Sequence, residues 1–574
     1  MTDVWPRREG AVDTAAGQIP EAGQAPLGLV VDGSLGRGVE VRLNDGASVE
    51  DIKVGTFVTI QGSRSRFFGV VTDISLGSTD TRLSRTPPHI EDSYIAQVVD
   101  GTVAYGTISV LPTLTMPAAL GDSQGPTAAK SIPTHFSRTF QASQRDVELV
   151  FGSEDQRHFW IGSPLDMETK VCLDLEELVK RSIGVFGKSG TGKTFLTRLL
   201  LVGILQGRQA SSLIFDMHSE YGWGARDADG SRMVKGLKQL FPSQVSTFTL
   251  DEESSLRRHS RPDEVVRIGY GDIEPEDVEL LRETMNLSDV AAWAAYNLQQ
   301  RFGPREWLRK FLELDGRDAV FDLASQLQVQ QHALGALYNR LNRLKRFDFL
   351  VDNAGHDAAA RIIEHLERGM HVVLEFGRYG NDLAAYILVS NLLTRRIHDR
   401  YVQRKEAAEG GGGPDPRPLV IVIEEAHKFL SQSVASHTIF GTIARELRKY
   451  NVTLMVIDQR PSGIDSEVMS QVGTRLTCLL DNERDIEAVL EGTPGSRQLR
   501  TVLARLEPKQ QALIFGHALP MPVVIHTREY GSTDSYEQLS RSAAGWTAPA
   551  LGETIETHEE RLDREISELF PEDG

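Results

Sequence analysis

The chain has 574 residues, 40% of them hydrophobic and 25% charged, and a formal net charge of −18. The composition is ordinary for a globular protein, and the length predicts roughly three or four structural units. Cys172 and Cys478 lie in apolar surroundings, which favours core thiols and excludes a disulfide framework or a cysteine metal site. We find no apolar run long enough to cross a membrane and no signal-peptide core, so we expect a cytoplasmic protein without a membrane partner. The acidic charge does not indicate nucleic-acid binding, but a ring with a locally basic channel would still be compatible with it.

The first 150 residues change character at residue 27. Met1 to Pro26 is rich in Ala, Gly, Glu and Pro and lacks periodicity, which predicts a disordered arm. The next part has short β-branched runs separated by turn residues, a pattern typical of a small barrel or sandwich. The runs are Leu29–Val31, Val39–Leu43, Thr56–Ile60, Phe67–Thr72, Tyr94–Val99 and Val103–Val110. A loop is expected over Pro112–Ile132. Residues 27–150 hold no recognisable catalytic cluster, so we interpret them as a structural or docking module.

A glycine-rich stretch from Gly184 to Thr194 carries the strongest chemical signal. It reads GVFGKSGTGKT and fits the phosphate-loop pattern G-x-x-x-x-G-K-[ST], between a short apolar run and an apolar helical run with Gly207 as its expected C-cap. Glycines let backbone N–H groups face phosphates, and the helix start adds partial positive charge. The predicted nucleotide-binding residues are Gly187, Ser189, Gly190, Thr191, Gly192, Lys193 and Thr194. Lys193 is expected to reach the β- and γ-phosphates of ATP, and Thr194 to ligate Mg²⁺.

A second buried strand, Ser212–Asp216, ends in the polar sequence DMHSEY. Polar groups at the carboxyl end of such a strand point into the crevice where open α/β sheets bind ligands. Asp216, His218 and Glu220 are therefore candidates for the site, and Asp216 is assigned to the nucleotide. A polar turn remains the alternative.

Residues 251–355 are predicted to be mostly helical and to interrupt the α/β alternation, so we interpret them as an inserted helical subdomain. The main segments are Glu276–Met285, Val290–Phe302 and Leu323–Arg346. The last segment carries a basic cluster of Arg340, Arg343, Lys345 and Arg346. Such a cluster is usually a solvated helix face, and a contact with DNA or a partner is the alternative.

The apolar strand Leu419–Ile423 is followed by two acids, Glu424 and Glu425, which is the Walker B arrangement. Glu424 is expected to hold the Mg²⁺ shell, and Glu425 to orient and polarise the attacking water. Glutamate at the first of these positions is less common than aspartate, and its longer side chain points to a water-mediated contact with the metal.

Three further residues complete the predicted catalytic set. Gln459 follows the strand Val452–Ile457 and is expected to sense the γ-phosphate. Arg445 and Arg448 lie on a predicted helix, Ser436–Tyr450, and either one is a candidate to complete the site of a neighbouring subunit, because phosphoryl transfer gains from a cation supplied in trans. Pairing with local acids is the alternative for both arginines.

Together these residues resemble the HerA family of hexameric DNA translocases. The motifs that carry the resemblance are GVFGKSGTGKT, LIFDMHSEYGW, LVIVIEEAHKFL, ARELRKYNVTLMVIDQRPS, VMSQVGTRLTCLLDNERD and QALIFG. They cover most of Arg181–Arg528, and the β-rich region before them looks like the family's N-terminal barrel. The phosphate loop alone indicates only a superfamily, whereas IEEAHKFL followed by RELRKY and DQRPS is much more specific.

The resemblance implies an α/β fold: a RecA-like P-loop ATPase core with an N-terminal β-barrel and an inserted helical subdomain. The expected division is an arm (1–26), a HAS-barrel-like domain (27–150), the core in two parts (151–250 and 356–530), the helical subdomain (251–355) and a C-terminal extension (531–574). The family's cofactors are ATP and Mg²⁺. By motif position, Glu425 is the catalytic acid, Gln459 the sensor, Arg448 the first choice for an arginine finger and Arg445 the second.

The resemblance also implies partners. We expect a homohexamer with duplex DNA in its central channel, and a NurA-like nuclease or a sirtuin-like or nuclease effector docked on the N-terminal barrel. Two functions follow: a DNA motor in end processing or anti-phage defence, or an ATPase platform that organises and regulates a defence effector. A third function is a conjugation-type or FtsK-like pump, and the lack of membrane segments argues against its membrane-anchored versions. A small-molecule kinase is disfavoured by the tandem acids and the arginine candidates. Pore loops are expected near Arg226–Lys235 or Gly463–Gln471.

Overall fold

The structure of the protein is a computed structural model that describes residues 25–44, 47–80, 103–117, 125–226, 233–436, 438–446 and 449–544. Several sequence predictions therefore lie outside the described residues. They are nearly all of the N-terminal arm, the strand Tyr94–Val99, the arginine-finger candidate Arg448, most of the first pore-loop candidate and a charged terminal helix expected over Glu556–Leu569.

The first sheet forms a barrel. Its strands are β1 (Gly28–Ser34), β2 (Gly38–Leu43), β3 (Phe57–Gln61), β4 (Ser65–Ser78), β5 (Ala104–Pro117), β6 (Thr127–Ala128) and β7 (Arg138–Gln141). They follow the order β2-β1-β7-β3-β4-β5-β6, and an extra pairing of β2 with β5 closes the sheet. Along β2, Val39, Val41 and Leu43 are buried on the inner side, as the two-residue period of a strand requires. The loop predicted over Pro112–Ile132 is wrong in part, because β5 runs on to Pro117 and pairs with β6.

The second sheet is larger and forms the body of the molecule. Its strands are β8 (His158–Pro164), β9 (Val171–Asp174), β10 (Ser182–Phe186), β11 (Ser211–Asp216), β14 (Val245–Thr249), β15 (Glu264–Val265), β18 (His371–Glu375), β19 (Leu419–Glu424), β20 (Val452–Asp458), β21 (Val472–Thr477), β22 (Gln511–Gly516) and β23 (Val523–Thr527). Two small sheets pair β12 (Ala225–Arg226) with β13 (Met233–Val234), and β16 (Ile268–Gly269) with β17 (Leu350–Val351).

The large sheet has the order β15-β14-β18-β11-β19-β20-β10-β21-β22-β23-β8-β9. The strands from β15 to β21 are parallel, and the remaining pairings are antiparallel. The carboxyl ends of β10, β11, β18, β19 and β20 therefore meet at one edge, where an open parallel sheet binds its ligands. The predicted fold class, an α/β ATPase core with an N-terminal barrel, is confirmed.

Helices cover both faces of the large sheet. In the described residues they are α1 (Gln144–Phe151), α2 (Leu175–Val179), α3 (Lys193–Gly207), α4 (Leu237–Leu240), α5 (Glu252–Arg257), α6 (Pro275–Leu280), α7 (Arg282–Met285), α8 (Asp289–Phe302), α9 (Trp307–Leu312), α10 (Gly316–Gln326), α11 (Gln331–Leu341), α12 (Ala358–Glu367), α13 (Leu383–Glu409), α14 (His427–Leu430), α15 (Ile439–Glu446), α16 (Ser466–Gln471), α17 (Glu483–Leu490), α18 (Ser496–Ala504) and α19 (Thr533–Ala544). Short 3₁₀ turns lie at Tyr270–Asp272, Asn342–Arg346, Gly377–Tyr379 and Pro461–Gly463.

The helical region differs from the sequence prediction in its breaks. The helix expected over Leu323–Arg346 is interrupted between α10 and α11, where Gln328 has a left-handed φ of 56°. An L residue in that conformation ends a right-handed helix. The helix expected over Ser436–Tyr450 begins at Ile439, and its described part ends at Glu446. Gly207 lies inside α3, and the left-handed C-cap is Arg208.

The barrel packs directly against the ATPase core. A Cβ built on Gly495, at the start of α18, would lie 2.5 Å from a Leu111 methyl carbon of the barrel. The Gln498 side chain donates to the Gly36 carbonyl at 3.0 Å. Cys172 and Cys478 are both buried in the core, as predicted. Among the described residues, none of the helices combines the length and the apolar character needed to cross a bilayer.

Candidate active site

The loop between β10 and α3 has the backbone of a phosphate cradle. Gly187, Gly190 and Gly192 have φ values of 153°, 78° and 96°. A Cβ on Gly187 would lie 2.8 Å from Cys478 Cβ and 2.9 Å from Thr191 Oγ1, so the strand end has no room for a side chain at this position. These conformations are open to glycine and strained for other residues. The spacing of the glycines in the sequence therefore has a local steric cause.

The N–H groups of this loop are available to an anion. The first bond of α3 joins the Leu196 N–H to the Gly192 carbonyl at 3.0 Å. Among the described residues, the N–H groups of Gly192, Lys193, Thr194 and Phe195 show no hydrogen-bond acceptor. Unpaired amides at a helix start, together with the helix dipole, bind phosphate. The cradle thus fits the phosphates of a nucleotide.

Lys193 is held inside the cradle. Its Nζ donates to the Lys188 carbonyl at 2.8 Å, and Thr191 Oγ1 donates to the same oxygen at 2.7 Å. Burial lowers the pKa of Lys193, while Cys478 and the nearby acids, including Glu425, act in the opposite direction. Because its partner here is a neutral carbonyl, the ammonium can exchange that bond for a stronger charge-assisted bond to phosphate.

Glu424 ends β19 with one carboxylate oxygen paired and one unpaired. The Tyr221 hydroxyl donates to Glu424 Oε1 at 3.0 Å, whereas Oε2 is buried and has no hydrogen-bond partner among the described residues. Burial raises the pKa of Glu424 to about 8, and the nearby Asp216 carboxylate adds to the rise. An orphaned buried oxygen of this kind fits a magnesium-bound water, so the residues present are compatible with Mg²⁺ between Thr194 and Glu424.

The backbone at the end of β19 is fixed by a second tyrosine. The Tyr386 hydroxyl, on α13, accepts from the Glu424 N–H at 3.0 Å and donates to the Glu424 carbonyl at 3.1 Å. The next residue, Glu425, has a left-handed φ of 49°. A non-glycine residue in this region costs energy and persists where its surroundings fix it. The two bonds to Tyr386 help to turn the Glu425 side chain out of the strand direction.

Glu425 lies within a small polar group. Gln459 Nε2, just after β20, donates to Glu425 Oε1 at 3.2 Å. His427 Nδ1 lies 3.6 Å from Glu425 Oε2 and 2.9 Å from Asp458 Oδ2. The Asp458 carboxylate also accepts from the His427 N–H at 2.7 Å. The structure thus places Gln459 beside Glu425, and the catalytic roles predicted for the two residues stay predictions. The sequence prediction missed His427 and Asp458, for which the only signal was their place in IEEAHKFL and VIDQRPS.

Asp216 lies at the same sheet edge but its carboxylate faces its own loop. It accepts from the N–H groups of Glu220, Tyr221 and Gly222 at 2.8, 2.8 and 3.3 Å. Burial raises its pKa, while the three backbone bonds lower it. This is the polar-turn arrangement, and its effect is to place Tyr221 against Glu424.

The basic candidates are mostly engaged elsewhere. Arg445 Nε donates to Glu467 Oε2 at 3.3 Å, which is pairing with a local acid. In the basic cluster of the helical region, Lys345 donates to the Leu312 carbonyl at 2.9 Å and Arg346 pairs with Asp382. At the phosphate loop, Lys188 pairs with Asp481.

A phosphate cradle after β10, two acids at the end of β19 and a glutamine after β20 lie side by side on a parallel sheet. Together they define a P-loop ATPase with a RecA-like core. The site is built for a nucleotide and Mg²⁺.

Comparison with known proteins supports the resemblance drawn from the motifs. The family model described as "Helicase HerA, central domain" matches residues 159–397, and the model of the HAS barrel domain matches residues 27–113. The resemblance of this chain to the HerA family is confirmed by these two matches.

Named relatives extend along most of the chain. The DNA double-strand break repair helicase HerA of Saccharolobus solfataricus is 24% identical over 482 residues, which cover 83% of this chain and 87% of the relative. The protein of the same name from Pyrococcus furiosus is 22% identical over 418 residues, covering 67% and 72% of the two chains. Among solved structures, VirB4 of Thermoanaerobacter pseudethanolicus is 13% identical with a TM-score of 0.44, covering 67% of this chain and 98% of that one.

Proposed function

We propose that the protein is a cytoplasmic homohexameric motor that hydrolyses ATP to move duplex DNA through its central channel. The observation that carries the proposal is the convergence of Lys193, Glu425 and Gln459 at one sheet edge in a chain that resembles the HerA family. Relatives with the name DNA double-strand break repair helicase support DNA as the substrate.

In this proposal each residue of the site has one task. The N–H groups from Gly187 to Thr194 and the Lys193 ammonium bind the phosphates. Thr194 and Glu424 hold the Mg²⁺ that arrives with ATP and neutralises charge on its phosphates. Glu425 accepts a hydrogen bond from the attacking water and polarises it, and Gln459 links that carboxylate to the γ-phosphate. His427, paired with Asp458, limits the positions that the Glu425 side chain can take.

The hexamer would supply one more positive charge to each site, an arginine from the neighbouring subunit. We propose Arg448 as the first choice for a finger that enters the neighbouring subunit's site, and Arg445 as the second. Arg445 is one-third exposed and its partner Glu467 is two-thirds exposed. Surface pairs of this kind contribute about 0–1 kcal/mol, so Arg445 can leave Glu467 at little cost when subunits assemble.

The barrel is the proposed docking site for a partner. A NurA-like nuclease, or a sirtuin-like or nuclease effector, would act together with the motor in DNA end processing or antiviral defence. In the part of the barrel domain that the structure describes, the exposed large apolar side chains include Leu35, Leu76 and Phe136, the last two at 81% and 71% of their full area. Exposed apolar groups on a protein surface often mark an interaction site.

The test is the steady-state ATPase rate of the purified full chain, with and without linear duplex DNA, at low and moderate salt. We expect stimulation of several-fold that fades as salt rises, because DNA contacts release counterions. Lys193→Ala is the control, and it should remove the activity under all conditions. Near-normal turnover in Lys193→Ala would contradict the phosphate-loop assignment.

The net charge of −18 favours one second candidate, an ATPase platform that regulates a defence effector without moving along DNA. A rate that is indifferent to DNA but rises with a co-purifying protein would favour this platform. Both functions use the same site, so the DNA response alone separates them.

A further inference from the structure

We propose that the ring of Phe195 is the surface on which the base of the bound nucleoside triphosphate stacks. The inference rests on the proposed function, because it takes the phosphate loop as the anchor of the nucleotide. Nothing in the motifs of the loop assigns a role to this side chain.

The first argument is the place of Phe195 on α3. It follows Lys193 and Thr194, and its N–H is the last one before the first intrahelical bond, from Leu196 to Gly192. The unpaired amides that bind the phosphate chain therefore end at Phe195. The sugar and base continue from the α-phosphate, so they leave the loop beside this side chain.

The second argument is the state of the ring. Phe195 is only partly buried, although it packs against the apolar core around α3. Its ring centroid lies 6.3 Å from that of Tyr530, with the planes at 69°. Tyr530 in turn meets Tyr536 edge to face, with centroids 5.6 Å apart. One side of Phe195 is thus supported by aromatic rings, and part of its surface is left to solvent.

The support is rigid. The Tyr530 hydroxyl donates to the Lys235 carbonyl at 2.8 Å, and the Lys235 N–H donates to the Tyr536 hydroxyl at 2.9 Å. Arg198 Cζ lies 5.6 Å from the Phe195 ring centroid and 5.8 Å from that of Tyr530. Arg198 is itself fixed, because its Nε donates to the Glu220 carbonyl at 3.1 Å. A ring held in this way offers a stacking surface at low entropic cost.

The third argument is the space beside the ring. The chain passes Phe195 at Gly531, which has a φ of 128°. A Cβ built there would meet one atom within 4 Å, Phe195 Cε1 at 3.8 Å. A side chain at this position would cover part of the ring, so glycine leaves that edge of Phe195 uncovered. An aromatic face and a bare backbone together suit a nucleobase.

Stacking of this kind accepts any base, because every base has a π-face. No side chain is assigned to the hydrogen-bonding edge of the base, so we expect little discrimination between ATP and GTP. The ring should add affinity for nucleosides and none for inorganic tripolyphosphate, which carries the same phosphates without a base.

The experiment measures dissociation constants for ATP, GTP and tripolyphosphate in the presence of Mg²⁺, by calorimetry on the full chain. Phe195→Leu keeps an apolar side chain of similar size but removes the π-face. We expect this variant to bind ATP and GTP about 5- to 100-fold more weakly than wild type. Its dissociation constant for tripolyphosphate should stay within about twofold of wild type. Phe195→Trp should retain ATP affinity.

Two results would overturn the inference. Equal weakening of ATP and tripolyphosphate in Phe195→Leu would mean that the ring only supports the loop, and unchanged ATP affinity would place the base elsewhere. If Phe195→Leu does not fold, the test is the difference in fluorescence between Phe195→Trp and wild type. ATP should change this difference, and tripolyphosphate should not. Lys193→Ala should lose both ligands, and if it keeps them the proposed phosphate site itself fails, whatever Phe195 does.

Discussion

Two pairs of acids lie at the same edge of the large sheet, and they differ in how their carboxylates are held. Asp216 and Glu375 end the neighbouring strands β11 and β18, whereas Glu424 ends β19 and Glu425 follows it. Asp216 accepts from three backbone N–H groups. Glu375 pairs with Arg258 at 3.0 Å through Oε2, while its buried Oε1 has no partner among the described residues. Glu424 Oε2 likewise has no partner in the described part of the chain, and Glu425 is about one-third exposed.

The difference shows that an acidic residue at the end of a buried strand can have either a structural or a ligand-binding role. Where the following loop turns back and offers its N–H groups, the acid is part of the scaffold. Where the next residues lead away into a helix, as after β19, the carboxylate remains free to meet a ligand. The two pairs are also linked, because the loop that Asp216 organises places the Tyr221 hydroxyl on Glu424.

The largest expected effect is that of Glu425→Gln. Loss of the carboxylate that we propose polarises the attacking water should lower kcat about 10²- to 10⁴-fold, while ATP affinity stays close to wild type. Single-turnover hydrolysis and nucleotide binding measure the two quantities separately. Normal cycling in Glu425→Gln together with a dead Glu424→Gln would mean that the roles of the two acids are reversed.

Asp216→Ala should affect the fold more than the chemistry. It leaves three N–H groups of a buried loop without their acceptor, and we expect the free energy of unfolding to fall by about 3 kcal/mol. The unfolding temperatures of Asp216→Ala and Glu425→Gln measure this difference, because Glu425→Gln should unfold near the wild-type temperature. An Asp216→Asn protein with full stability and a hundredfold loss of turnover would instead place Asp216 in the site.

The buried acid of β18 should give the fold a pH dependence. Burial raises the pKa of Glu375 from the usual 4.5 to about 7, with Asp216 adding to the rise and Arg258 opposing it. The folded state therefore binds this proton more tightly than the unfolded state does. Its stabilising contribution is complete below pH 4.5 and is lost as pH rises towards 7.

Glu375→Gln isolates that contribution, because the amide does not ionise. The difference in unfolding free energy, variant minus wild type, should increase by about 2 kcal/mol between pH 5 and pH 8. Denaturant titrations at several pH values measure it. Parallel stability curves for the two proteins would show that Glu375 ionises normally in the fold.

The smallest expected effect is that of Tyr221→Phe. It removes the hydrogen bond to Glu424 Oε1, a bond that lowers the pKa of that carboxyl against its burial. We expect a threefold to tenfold reduction of kcat, from a bond of about 1 kcal/mol, with a shift of the half-saturating Mg²⁺ concentration to higher values. Tyr386→Phe is the matched control for the Mg²⁺ dependence, because among the described residues its hydroxyl bonds the backbone of Glu424 and not the carboxylate. If the Mg²⁺ dependence is unchanged in Tyr221→Phe, the Tyr221 hydroxyl does not influence Mg²⁺ binding.

The features that sequence predicted well are those with a local cause. The phosphate loop needs glycine at positions 187, 190 and 192 because of their φ values, so its pattern can be recognised from the sequence alone. The strands around it are short apolar runs, and their polar ends predicted the edge of the site. The breaks in the helical region were missed because a left-handed residue such as Gln328 has no distinct sequence signal.

What the sequence by itself determined is therefore the cradle, the two acids at the end of β19 and the glutamine after β20, since each depends on its neighbours in the chain. Only the tertiary structure decided which acid is saturated, that His427 and Asp458 flank Glu425, and that Tyr530 supports Phe195. These contacts join residues from separate strands and helices. Their energies depend on burial and on hydrogen-bond partners that come together only when the parallel sheet forms.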